Sequence, residues 1–448
     1  TMSILLLIAS ITVLYFTARR LFDQRLAFLV CGLILLCEAM WQYALSGLPQ
    51  MLLLFLFNCT TYLLVRAVEA QHREEAPLKW LIAAAVGFGL LALTHALTFW
   101  IIFGGLLFSA FYFRPRGWSA LIMLAVCALV YLPWAIRNLV ISGNIGGVAV
   151  YSVFNGVGHS EWGWMRRMEF DWSNAVLGAF RDKITGGLVF QSAHLFEYFG
   201  LSVVALMFFG SLLHLFKKTE TAAFRWLLLA MWVGAVLGMC LYGFNDEQGV
   251  AANQLHLIFI PIMTCYGLAY LLVQWNRLGL TFPFARAGFI ALLYLLCAMP
   301  MIFSTPWLSP PKARVQWPPY MPPLISVLHD WMEPNEITAS DVPWAVAWYA
   351  DRRSLWLPEK VQIMTDLGDY RTLGGPVNGL YLTPISGIEN KFRDIVKGEY
   401  RDWAAVIQRN QVLEKFPLKW NTIALGFDNE CIFLSDHDRE HRVAQPTE

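Results

Sequence analysis

Leu292-Leu293-Tyr294-Leu295-Leu296-Cys297-Ala298-Met299-Pro300-Met301-Ile302-Phe303 closes an apolar run, after which the chain passes through Pro310-Pro311, Pro318-Pro319 and Pro322-Pro323. A helix needs about 20 apolar residues to cross a ~30 Å hydrocarbon core, and a run of this kind, continued back to residue 287, is long enough. A segment so rich in proline cannot continue a helix; it leaves the membrane as a stiff, extended linker. The reading therefore divides the chain into a transmembrane part at 1–305, a linker at 306–323 and a soluble part at 324–448.

Upstream of that junction, comparable runs lie at 2–18, 26–45, 49–65, 80–94, 97–113, 118–136, 196–216, 226–243 and 256–274, which with 287–305 make about ten spans. The run at 80–94 is short, and with 97–113 it can form a tight helical hairpin around His95. One alternating set of loops carries the basic residues: Arg19, Arg20 and Arg25; Arg66, Arg73 and Lys79; Arg114 and Arg116; Lys217, Lys218 and Arg225; Arg277 and Arg286. The positive-inside rule assigns these loops to the cytoplasm. The turns near Gly47 and Thr94, a long loop at about 137–195, the loop at 244–255 and the whole C-terminal part then lie outside. This describes a multi-pass protein of the inner (plasma) membrane with an extracytoplasmic C-terminal domain. It also puts Thr1 outside, so at least one in-to-out span is expected before it.

Composition agrees with a bilayer environment: 57% of residues are hydrophobic and 15% charged, against about a quarter charged in soluble domains. A net charge of +1 leaves no basic surplus for phosphate backbones and argues against a nucleic-acid partner. Seven of the eight cysteines lie in apolar runs, where Cys acts as a small hydrophobe, and Cys431 alone falls in the soluble part. No CxxC or other metal-ligand spacing is present.

Downstream of the linker, short helix-like and strand-like pieces alternate. Helices are expected at 324–332, 344–351, 359–367 and across 388–408, strands at 336–339, 354–357 and 379–383, and a closing strand or hairpin at 423–434. The alternation favours a small α/β sandwich. Asp341, before Pro343-Trp344, reads as a helix N-cap. Trp344, Trp348 and Tyr349 read as a core or membrane-docking face.

Pro133-Trp134-Ala135-Ile136-Arg137-Asn138 ends the sixth span. Pro is expected to stop the helix, Trp to anchor at the interface, and Arg-Asn to project toward headgroups. A guanidinium there suits a lipid-linked phosphate, and it equally suits a snorkelling anchor that sets span depth. Followed by Ser142-Gly143-Asn144, this run resembles the membrane-embedded GT-C glycosyltransferases, in the protein-mannosyl and aminoarabinose transferase-like branch. Thr94-His95-Ala96-Leu97, Asn253-Gln254-Leu255-His256 before Phe259-Ile260-Pro261, and Asp341 to Arg352 add weaker similarity, the last to bacterial members.

The resemblance implies transfer of a sugar from a polyprenyl-phosphate donor to an acceptor on the outer side. It makes His95, Arg137, Asn138, Gln254 and His256 candidates for substrate binding. It also places the catalytic carboxylate in the first outer loop, which has no counterpart here. The expected base is therefore on an upstream segment or on another membrane chain; the alternative is a non-catalytic scaffold or accessory subunit that keeps the fold. Asp246-Glu247, the adjacent acidic pair of the outer membrane-domain loops, is the candidate for a base or for a divalent metal, and surface solvation is its other reading. No cofactor is otherwise implied. Glu38 and Gln42 share a helix face, where Glu38 is expected to line a cavity or to pair with a basic group.

Overall fold

A computed structural model describes residues 2–147, 149–154, 157, 177–243, 250–279, 284–303, 322–367, 374–383, 386, 400–407, 416–421 and 431–439. The chain falls into two compact units, Thr1–Phe154 with Leu177–Pro311, and Asn155–Val176 with Lys312–Glu448.

The first unit is helical. Its elements are α1 (Met2–Leu21), α2 (Gln24–Leu35), α3 (Glu38–Leu45), α4 (Gln50–His72), α5 (Leu78–Thr94), α6 (Thr98–Tyr112), α7 (Trp118–Ser142), α8 (Ala149–Ser152), α9 (Leu177–Ala193), α10 (Leu195–Tyr198), α11 (Val203–Ser211), α12 (Thr219–Tyr242), α13 (His256–Arg277) and α14 (Ala285–Phe303). Among the described residues, α1, α4, α7, α12, α13 and α14 are long and apolar enough to cross a membrane. The α2–α3 pair adds a seventh span if its two halves count as one, and α5 and α6 are shorter apolar helices.

Three elements depart from the expected pattern. The run 26–45 is broken at Leu36 and Cys37, where α2 and α3 meet at 56°. The run 196–216 is two pieces, α10 and α11, separated by Gly200 and Leu201 at positive φ. The last part of the expected loop 137–195 is the helix α9, packed on α12. Arg181, Asp182 and Lys183 interrupt its apolar run, which is why periodicity and length alone passed over it.

α7 gives a fourth correction. It does not stop at Pro133 but continues to Ser142, where Gly143 closes it in the left-handed conformation with its N–H on the Leu139 carbonyl (3.1 Å). In hydrocarbon an unwound backbone has no water to bond, so a proline costs less inside a continued helix than the helix costs to end.

Close approach of helices rests on small residues, as is usual in membranes. A Cβ on Gly267 of α13 would collide with the Val204 carbonyl of α11, and one on Gly234 of α12 with the Trp100 carbonyl of α6. At the basic end, Arg20 of α1 pairs with Glu69 of α4 at 2.9 Å, and Lys218 donates to the Phe22 carbonyl at 3.1 Å. Buried Arg225 of α12 donates to the carbonyls of Ser211 and His214, satisfying acceptors at and just past the end of α11.

The second unit holds a five-stranded mixed sheet in the order β2-β1-β3-β5-β4. Its strands are β1 (Ile337–Ser340), β2 (Arg353–Trp356), β3 (Val377–Leu382), β4 (Trp420–Asn421) and β5 (Ile432–Ser435). β1 runs parallel to β2 and β3, while β5 runs antiparallel to β3 and β4. Side chains alternate across the strands: Tyr381 and Phe433 pack with Leu328, Trp331 and Val346 on one face. Leu380, Leu382 and Ile432 pack with Met364 and Trp403 on the other. The helices are α15 (Pro322–Ser326), α16 (Leu328–Trp331), α17 (Pro343–Tyr349), α18 (Val361–Leu367) and the short turns Arg401–Trp403 and Ala404–Ile407.

Asp341 does not cap α17, contrary to the sequence expectation. Its carboxylate accepts from Thr383 N–H and Oγ1 (2.7 Å) and from Ser386 N–H, tying the end of β1 to the segment after β3. Trp344, Trp348 and Tyr349 are exposed, with Trp344 edge-on to Trp356. The linker at 306–321 and the acidic and aromatic residues between 158 and 176 lie outside the described residues.

Candidate functional site

The described end of the connection from α12 to α13 gathers several polar side chains of the helical unit. The Tyr43 hydroxyl accepts from Ala251 N–H (3.1 Å) and faces the Ala251 carbonyl (3.3 Å). Gln50 donates to the carbonyls of Ala251 and Ala252, the latter at 2.6 Å. His95, at the turn between α5 and α6, accepts from Leu97 N–H on Nδ1 and meets the Ala252 carbonyl. Burial lowers the pKa of this ring and the Ala252 carbonyl partly offsets that, so near neutral pH it stays a neutral donor and acceptor. The backbone of 250–252 is thereby fixed against α3, α4 and the α5–α6 turn.

Gln254 and His256 belong to the same connection but face inward. Gln254 Oε1 accepts from Leu257 N–H (3.0 Å), capping α13, and its Nε2 donates to the Tyr198 carbonyl (3.0 Å). His256 is fully buried. Its Nδ1 accepts from Trp232 Nε1–H (3.2 Å), so the ring proton sits on Nε2 and is donated to Gln191 Oε1 (3.1 Å). Tyr198 stacks on the ring at 5.7 Å. Both nitrogens are occupied, and in this conformation His256 is a packed core histidine rather than a group open to a substrate. Gln191, Trp232, Tyr43 and Gln50 complete the cluster; sequence reading passed over all four.

Arg137 and Asn138 separate in role. Asn138 is buried and donates from Nδ2 to the Ile145 carbonyl (3.2 Å), holding the chain after α7 against the helix end. Arg137 is exposed, its guanidinium 4.5 Å from the Trp134 ring centroid, and it has no ion pair among the described residues. The structure therefore brings His95, Gln254 and His256 together around one connection. No described contact joins Arg137 to them.

Glu38 lies at the start of α3, just past the bend, half-buried, and accepts from Gln42 Nε2 (2.9 Å). The expected basic partner is absent among the described residues. Asp246 and Glu247 lie outside the described residues. Among the described residues no group of three or more His, Cys, Asp or Glu is placed to hold a metal ion.

No family model matches the chain, and no curated protein matches it by sequence. Solved structures do. The oligosaccharyltransferase of Archaeoglobus fulgidus, tethered to an acceptor peptide containing the NVT sequon, superposes with a TM-score of 0.52 over 90% of this chain at 14% identity. Its apo form gives 0.50 over 91% at 13% identity. The chain has the GT-C fold. It covers 60% and 61% of the length of those two oligosaccharyltransferase chains. ArnT from Cupriavidus metallidurans, in the apo state, aligns over 99% of this chain and 84% of its own, with a TM-score of 0.38 and 12% identity. The cluster around 250–256 is held by its own hydrogen bonds, and Arg137, without an ion pair among the described residues, stands apart from it.

Proposed function

We propose that the chain is a glycosyltransferase, or the donor-binding part of one, that takes a sugar from a polyprenyl-phosphate carrier on the extracytoplasmic face of the membrane. The observation that carries this reading is Arg137: a permanently charged guanidinium at the end of an apolar helix, backed by Trp134 and free of any described carboxylate. Such a group offers paired N–H donors to a phosphate and keeps its charge at every physiological pH. Trp134 gives the polyprenyl chain an apolar neighbour at interface depth. The GT-C fold supports the reading, since its solved examples act at the membrane on sugar transfer.

In this mechanism Arg137 holds the donor phosphate and stabilises the negative charge that develops on it as the glycosidic bond to phosphate breaks. The acceptor atom attacks the anomeric carbon and loses its proton to a carboxylate base. Asp246 and Glu247 are the candidates for that base or for a divalent metal, with a carboxylate from another membrane chain as the alternative. Glu38, half-buried beside a broken helix, is a further acid within the apolar unit. His95 orders the turn between α5 and α6 and the 250–252 backbone.

Binding of radiolabelled undecaprenyl phosphate to the detergent-purified chain tests the donor assignment. Arg137→Ala is expected to weaken binding about tenfold, close to 1.4 kcal/mol, with Arg137→Lys in between. Equal binding by Arg137→Ala would sink it and leave Arg137 as a depth anchor.

A further inference from the structure

The opposite, basic end of the helical unit holds a groove of about 320 Å³ between the α1–α2 turn, the start of α12, α13 and α14. Its floor is apolar, formed by Leu26, Phe216, Ala269, Leu272 and Val273. Its rim is polar and cationic: Lys217, Lys218, Arg286 and Asn276 stand there with a single acid, Asp23. Asp23 is already engaged, capping α2 through the Leu26 N–H at 2.8 Å. Lys218 is partly engaged with the carbonyls of Arg20 and Phe22. Lys217, Arg286 and Asn276 are exposed and have no hydrogen bond or ion pair among the described residues.

We infer that this groove is a binding site for an anionic phospholipid of the leaflet that faces the basic loops. The phosphodiester would sit among Lys217, Arg286 and Asn276, and an acyl chain would follow the apolar floor along α13. Charge and shape both point to this occupant. Three cations against one committed carboxylate leave a net positive rim, and basic recesses between membrane helices recognise anionic headgroups. A free phosphate would use the rim but leave the apolar floor unfilled, whereas an amphiphile fills both. The inference rests on the membrane reading of the apolar helices and is independent of the glycosyl-transfer reading and of Arg137.

Native mass spectrometry of the intact, detergent-purified chain tests it, with dioleoyl phosphatidylglycerol and dioleoyl phosphatidylcholine as competing probes. The phosphatidylglycerol adduct is expected to be favoured at least tenfold, and the double variant Lys217→Glu with Arg286→Glu is expected to abolish that preference. Arg116→Glu, an exposed basic position that does not line the groove, is the charge-matched control and is expected to keep the preference. Because all three positions are exposed, the variants are expected to fold, and circular dichroism checks this. Equal uptake of the two lipids, or a preference that survives Lys217→Glu with Arg286→Glu, would overturn the inference. So would displacement of the lipid by millimolar inorganic phosphate, which would mark a site for the free anion.

Discussion

In the α/β unit the fully buried Arg439 lies 2.7 Å from Glu336 and from Asp436, whereas in the helical unit the fully buried His256 lies between Gln191 and Trp232, neither of them charged. Both arrangements give their buried group hydrogen-bond partners, though Arg439 Nε is left without one among the described residues, and they are built from different chemistry. A buried ion pair tolerates its desolvation cost only when geometry is good and further bonds satisfy the remaining lone pairs, and here Asn378 and the Glu333 N–H supply them to Glu336. Between apolar helices the same end is reached with a neutral imidazole, an amide and an indole, which need far less solvation. Arg225 shows the intermediate case: a cation buried in the helical unit bonds carbonyl oxygens at a helix end and, among the described residues, no carboxylate. The two units thus solve one problem, an uncompensated polar group away from water, at different cost when a partner is lost.

That difference is sharpest when one partner is removed. Arg439→Met is expected to destabilise the α/β unit by about 3–5 kcal/mol, because it leaves the buried Glu336 carboxylate without its cation, whereas Asp436 keeps access to water. Adding Glu336→Leu is expected to recover much of the loss, which a merely additive pair of substitutions would not do. Hydrogen exchange at β1 and β3 amides in the intact chain reads the opening free energy. The pH dependence follows from Glu336. Burial alone would raise its carboxyl, but the hydrogen bonds and charge of Arg439, with Asn378, hold it down, from 4.5 to about 2. A carboxyl with a depressed folded value contributes stability that is present above about 4.5 and is lost as pH falls from there through about 2. Protection in β1 is therefore expected to fall over that window in the parent chain and to lose this component in Glu336→Leu.

The same contrast explains what could be read from the sequence. Membrane crossing is a matter of composition and length, so the apolar runs that became α1, α4, α7, α12, α13 and α14 were legible directly. The strands β1, β2 and β3 were legible too, as short runs between turn residues. The bend at Leu36 and Cys37 was not, since it depends on which helices crowd α2 and α3. α9 was hidden because Arg181, Asp182 and Lys183 disguise a helix that still packs its Gly187 against Cys240. His95, Gln254 and His256 could be singled out as polar residues at span ends, but their partners lie far off in the chain. Tyr43 and Ala251 are 208 residues apart, and Gln191 and His256 are 65 apart. The adjacent Gly186-Gly187, four residues before Gln191, was the available signal that this stretch approaches another helix closely. Asp341 looked like a cap because its neighbours fit the pattern, and only the fold brings Thr383 and Ser386 to it.

In the helical unit the expected loss is smaller. His256→Leu removes a neutral group and leaves the Trp232 N–H and the Gln191 carbonyl oxygen unbonded, at about 1–3 kcal/mol. Detergent-solubilised protein is expected to melt several degrees lower, and Gln191→Leu in the same chain is expected to cost less than it does in the parent. A loss as large as that for Arg439→Met would break the contrast between the units, since it would mean that His256 is charged or carries a load beyond its two bonds.

Arg20→Ala is expected to have the smallest effect, although the Arg20–Glu69 contact at 2.9 Å is as short as many buried ones. Arg20 is about a third exposed and Glu69 also has Arg66 at 3.5 Å, so the carboxylate keeps a partner when Arg20 is gone. Pairs with water on one side contribute about 0–1 kcal/mol and weaken with salt. The melting temperature of Arg20→Ala is expected to fall by no more than a few degrees at low salt and by less at 0.5 M salt, where the Debye length is on the order of 4 Å. A salt-insensitive drop comparable with that of His256→Leu would show that this end of the unit is drier than its exposure implies. It would then belong with Arg439 rather than with the wet, shared carboxylate that its geometry describes.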